Sequence, residues 1–264
     1  MVSMLTLLVI SLYLLSALAV ITRLFHPEGP KPNVYLTLGW LALIGHALLL
    51  SGSWFLNADL NFSFNNMLSL MSFVIALVVS TIAVKYKADL ILPVVYFVTA
   101  ILLTLVGLLP SHQHMVIDLN KLSLIVHISS ALLAFAILMI ATLYAFQVSY
   151  INLKLKNKKL LSLSHLPPLM QVEGQFFKIL LLGTSCLFLS LLIGFVFIDD
   201  FITKENAHKT VLSLVALLVY CSILWGHFSQ GWRGKRILTL VIVASFLLTL
   251  SYFGSKFVKE FLLS

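Results

Sequence analysis

Eight times along the 264 residues the chain runs for about 18 residues or more with no carboxylate in its interior, and that pattern restricts the fold more than any other feature. At 1.5 Å per residue, a helix of about 20 residues spans the roughly 30 Å hydrocarbon core of a bilayer. Inside lipid the backbone N–H and C=O groups find no water, so apolar spans of this length must close their hydrogen bonds internally as helices. The spans fall at about 3–22, 34–53, 67–84, 90–109, 122–150, 176–197, 210–232 and 237–258. Composition agrees: 61% of residues are hydrophobic and 10% charged, against about 25% charged in soluble domains. The expectation is an all-α, polytopic membrane helix bundle forming one domain over 1–264. Soluble enzymes, disordered tails and disulfide-stapled secreted domains are excluded.

Net charge is +8, and in a membrane protein an excess of Lys and Arg reports orientation more than nucleic-acid binding. Twelve of the 17 basic residues lie in the odd-numbered connections, at Arg23, Lys31, Lys85, Lys87, Lys154, Lys156, Lys158, Lys159, Lys178, Arg233, Lys235 and Arg236. Retention of these on the cytoplasmic side predicts both termini outside. No Lys or Arg precedes the first span and Arg23 follows it, so that span reads as a retained helix and not as a cleaved signal. The longest interruption, Lys154 to Gly174, carries basic residues and then Pro167-Pro168, which stop a preceding helix. It reads either as a segment lying along the cytoplasmic interface with its lysines facing anionic headgroups or, the favoured reading, as an ordinary positive-inside loop.

Cys186 and Cys221 stand alone without a Cys-x-x-Cys motif and read as packing residues. Phosphate-binding loops and nucleophile elbows are absent from the sequence. Proton- or ion-coupled carriers generally place carboxylates within spans, and none lies there. The expectation is therefore a non-enzyme, with a small-molecule transporter the least favoured class.

Histidine is the exception. Three of eight fall within or near spans, at His46, His127 and His227. An ionisable side chain in the bilayer is by default a site hypothesis, although a neutral imidazole needs only one donor and one acceptor satisfied, as in an interhelical hydrogen bond. Imidazole also binds haem iron axially, and a flat apolar macrocycle suits a cleft between helices. His46 and His227 are the candidate iron ligands, with His127 a further cofactor-binding candidate. His46 lies 15 residues after Lys31, near mid-bilayer. His227 precedes Arg233 by 6 residues and His127 follows Lys121 by 6, placing each roughly 9 Å from opposite surfaces at 1.5 Å per residue. Two axial ligands stand about 4 Å apart across the metal, so His127 and His227 cannot share one iron, whereas His46 could pair with either. His112 reads as a solvated loop residue, His114 and His208 as groups able to meet a ligand from outside, and His26 and His165 as loop residues.

The second half resembles a known family. His127-Ile128-Ser129-Ser130 opens a helix continuing Ala131-Leu132-Leu133-Ala134-Phe135. Leu166-Pro167-Pro168-Leu169 follows, then Glu173, Gly183 and Gly194. Lys209 to Ser213, Tyr220, Leu224-Trp225-Gly226-His227 and Gly231-Trp232-Arg233-Gly234 come next, and Ser251-Tyr252-Phe253-Gly254 closes the series. In this order the segments are similar to the cytochrome c assembly (CcsA-like) transmembrane family, in its short inner-membrane branch, with HemX-type proteins as near relatives. The likeness covers roughly residues 120 to 258, and the first half through hydropathy and His46. It implies haem handling in a bacterial inner membrane. His127 matches an outer-face histidine, His227 a membrane histidine near the cytoplasmic end, and His46 its partner in an early helix. Implied partners are haem and other membrane or cytochrome-maturation proteins, beside the lipid bilayer. Two departures accompany the likeness: 198–208 lacks the family's tryptophans, and 255–264 lacks its last outer histidine. The alternative is a non-catalytic membrane partner that stabilises or regulates another complex, its histidines structural.

Overall fold

A computed structural model describes residues 4–24, 26, 29–56, 59–61, 63–85, 90–109, 116–117, 122–156, 167–198 and 207–254. Among the described residues, eight helices are long and apolar enough to cross a membrane. They divide into two units. The first comprises α1 (Met4–Ile21), α2 (Pro32–Trp54), α3 (Phe64–Lys85) and α4 (Ile91–Leu108). The second comprises α5 (Leu122–Lys156), α6 (Leu169–Phe197), α7 (Ala207–Gln230) and α8 (Lys235–Thr249), which ends in a π turn at Leu250–Gly254. Within each unit every helix packs on its sequence neighbours and the first packs on the last, so each is a closed ring of four helices.

Hydropathy does not tell the inside of these rings from the lipid face, because the helices are apolar all round. Small and polar residues do. In α5 the buried side carries Ala131, Ala134, Ala136, Ala141 and Ala145, while Leu133 and Phe146 are exposed. With hydrocarbon on the outside, bringing large apolar groups together gains little, so contact is made where small side chains let backbones approach and hydroxyls bond across helices. Gly45 illustrates this: a Cβ there would lie 2.6 Å from Cγ2 of Val9 on α1. The hydroxyls of Ser16 and Tyr220 serve the same end, bonding the Tyr35 carbonyl at 2.7 Å and Ser245 Oγ at 3.2 Å.

Two features depart from the sequence expectation. A three-stranded antiparallel ribbon occupies part of the first unit's connections: β1 (Phe55–Leu56) pairs with β2 (Asp59–Asn61), which pairs with β3 (Val116–Ile117). Strands of two or three residues have too few positions for an alternating pattern to be legible. The sixth span also begins earlier than expected, at Leu169 instead of 176. Pro168 caps it in an extended conformation, φ −57° and ψ 135°, a boundary that proline's fixed φ favours. Glu173 lies within the first turns of this helix, where it meets Arg233, Nε to Oε1 at 3.3 Å, and glutamate is a good helix former. The fifth span runs on to Lys156, about 50 Å at 1.5 Å per residue, carrying Lys154 and Lys156 beyond the hydrocarbon.

Candidate histidine sites

His227 is positioned by the turn that follows it. Gly231 adopts φ +66°, and its N–H bonds the His227 carbonyl at 3.1 Å. This is a left-handed helix ending, which glycine adopts without a Cβ penalty. Trp232 then folds back: its N–H reaches the Gly226 carbonyl at 3.0 Å and its indole packs directly on Gly226. The Trp232 carbonyl meets Nδ1 of His227 at 3.3 Å. On the other side the imidazole stacks on Phe177 of α6, with centroids 3.4 Å apart and planes at 14°. A carbonyl can only accept, so Nδ1 carries the hydrogen and, in the neutral ring, Nε2 carries the lone pair.

His127 repeats this logic at the start of α5. Its Nδ1 donates to the Ser190 carbonyl of α6 at 2.8 Å, and Ser190 Oγ returns a bond to the His127 carbonyl at 3.2 Å. Again the lone pair falls on Nε2. Both histidines read out against α6, where Phe177 and Ser190 are separated by about 20 Å at 1.5 Å per residue. They therefore occupy opposite ends of the second unit, and one iron cannot take both.

His46 belongs to the first unit and is fully buried. Nδ1 faces Tyr13 Oη of α1 at 3.3 Å, and Nε2 faces Ser69 Oγ of α3 at 3.0 Å. Phe73 contacts the ring edge-on, 5.3 Å between centroids. Both nitrogens thus have hydroxyl partners, and an iron at Nε2 would have to displace Ser69.

Among the described residues no three His, Cys, Asp or Glu side chains gather as a metal cluster. A haem asks less, one or two axial imidazoles, and an imidazole with its hydrogen on Nδ1, as at His227, fits that donor set. His208 is exposed at the start of α7, and His26 is exposed as well. His112, His114 and His165 lie outside the described residues. Cys186 is partly buried and Cys221 exposed, both as free thiols. The partners Phe177, Trp232 and Ser190 were not legible as such. The signal that could have found Trp232 is the pair Gly231 and Gly234 flanking it, both of which adopt positive φ.

Gly226→Ala tests the turn. Its Cβ would fall on the Trp232 indole, forcing out the carbonyl that holds His227. Overpacking of this kind costs about 1–3 kcal/mol, expected as a lowered midpoint in thermal unfolding of the detergent-solubilised protein. An unchanged midpoint would show that the indole moves aside freely.

A two-unit, eight-span helical protein with imidazoles held at a membrane's depth defines a class, and comparison with known proteins places it. Residues 35–263 match the family described as cytochrome C assembly protein, and the chain belongs to that family. It is 34% identical over 250 residues to inner membrane protein YpjD of Escherichia coli strain K12, covering 94% of this chain and 95% of that protein. The same values hold for YpjD of Escherichia coli O157:H7. An uncharacterized 28.8 kDa protein in the nifR3-like 5' region of Azospirillum brasilense is 30% identical over 140 residues, 52% of either chain. No solved structure matches significantly. Eight apolar helices together with this likeness make the chain a multi-pass inner membrane protein.

Proposed function

We propose that this protein handles haem without catalysing a reaction, serving cytochrome c-type complex assembly from the inner membrane, with both termini periplasmic. One observation carries the reading: the Trp232 carbonyl accepts from Nδ1 of His227 at 3.3 Å and the Phe177 ring stacks on the imidazole, which leaves the lone pair on Nε2. Hydrogen bonds from the distal ring nitrogen to a carbonyl are the usual way a ligating histidine is oriented and made more basic. Bound there, haem would supply an iron whose axial position accepts such a nitrogen. His127, at the other end of the second unit, is a further candidate for a separate haem position. His46, in the first unit, would bind iron only by giving up its bond to Ser69.

The experiment is a Soret and reduced-minus-oxidised spectrum of the protein purified in detergent, as isolated and after adding haem. The expected result is a Soret band that His227→Ala weakens by about tenfold or more in haem affinity, with recovery on adding free imidazole. His127→Ala is expected to remove a different fraction of bound haem. A colourless protein that takes up no added haem would overturn the reading.

A second reading has its own support. His46, bonded at both nitrogens, is what a purely structural histidine looks like, and all three rings hold hydrogen bonds between or within helices. In that case the protein is a partner that stabilises another inner-membrane complex. Co-purification with the same partners after His46→Gln and His227→Gln would favour it.

A further inference from the structure

At the basic end of the second unit, a cavity of about 260 Å³ opens where α5 leaves the membrane and α6 and α8 begin. Its apolar wall includes Phe176 and Ile237, both nearly fully buried. Ser149, Asn152, Glu173 and Arg233 supply polar groups. The ion pair between Arg233 Nε and Glu173 Oε1 uses one of five guanidinium donors and one carboxylate oxygen. Glu173 is 18% exposed and Arg233 71%. An exposed pair of this kind contributes only about 0–1 kcal/mol, and a staple between helices needs no hollow beside it.

Depth identifies the medium. Glu173 lies one turn into α6, and Arg233 lies two residues before the start of α8. Nearby, Lys154 lies over the Tyr150 ring at 5.4 Å and Arg236 over the Trp232 ring at 4.2 Å. Aromatic and basic side chains so paired occupy the headgroup level of a bilayer. At about 260 Å³ the cavity falls below the roughly 300–1,000 Å³ of sites for whole drug-sized ligands, so it suits part of an amphiphile.

We propose that this cavity seats the headgroup of phosphatidylethanolamine. The phosphate would meet the guanidinium of Arg233, which presents a fork suited to phosphate oxygens. The ammonium would donate to the Glu173 carboxylate and to the Asn152 and Ser149 oxygens. A purely anionic headgroup would face repulsion from Glu173, and the quaternary ammonium of phosphatidylcholine has no N–H to donate. The site is independent of the haem reading, since His227 does not line it.

Native mass spectrometry from mixed micelles holding equal amounts of phosphatidylethanolamine, phosphatidylcholine and phosphatidylglycerol tests this. Phosphatidylethanolamine adducts are expected to exceed the others by about tenfold, the value of one charge-assisted hydrogen bond. Glu173→Gln should erase the preference over phosphatidylcholine and raise phosphatidylglycerol binding, and Arg233→Gln should lower all three. Ser149→Phe, which fills the hollow and leaves the charges intact, should lose the adduct and serves if a charge variant fails to fold. Excess free phosphoethanolamine should not displace the lipid. Equal retention of the three lipids, an unchanged preference in Glu173→Gln, or displacement by free phosphoethanolamine at the lipid's own concentration would overturn the proposal.

Discussion

Alanine in place of His46 is expected to lower the thermal midpoint by about 6–12 °C, from a loss near 3 kcal/mol. The ring is fully buried between Tyr13 and Ser69 and touches Phe73. Its removal leaves a void and two hydroxyls without their partner. Hydrogen bonds between membrane helices average only about 0.6 kcal/mol, so most of the loss comes from the void. Gln at this position keeps a donor and an acceptor and is expected to recover part of the midpoint. Thermal unfolding in detergent followed by circular dichroism makes the measurement. A shift under about 2 °C would mean that the first unit does not depend on this bridge.

Gly39→Ala should cost a similar amount, about 3 kcal/mol, despite alanine's better helix propensity of about 1 kcal/mol. A Cβ at Gly39 would collide with the hydroxyl of Tyr96 on α4. That tyrosine cannot swing away: it is fully buried, its hydroxyl bonds Ser80 at 2.7 Å, and Tyr13 lies against it with centroids 5.3 Å apart. A double-mutant cycle isolates the cause. In a Tyr96→Leu background the same substitution should cost much less, because the colliding ring is gone. Equal costs in both backgrounds would place the strain elsewhere.

These expectations use geometry that the chain alone does not display. The spans could be read because each is long, apolar and free of interior carboxylates, and lipid permits such a segment one regular structure. Pro167-Pro168, read as the stop of a helix from the fifth span, instead stands at the start of α6, while the described part of α5 ends at Lys156. The early start of α6 was hidden because a membrane span is sought where charges are absent, whereas Glu173 lies in the first turns of the helix, and its partner Arg233 is sixty residues away in the chain.

The site divides in the same way. That His46, His127 and His227 are the imidazoles at membrane depth, and that the last two lie near opposite surfaces, follows from residue counts and the fixed rise of a helix. What those rings are bonded to was decided only in three dimensions. A histidine's tautomer depends on whether a carbonyl or a hydroxyl meets it. Ser190 and Trp232 present carbonyls, whereas Tyr13 and Ser69 present hydroxyls. Length and hydropathy therefore determined the number of helices and the depth of the histidines. Packing between helices, which no periodicity encodes when every face is apolar, determined what each ring nitrogen is bonded to.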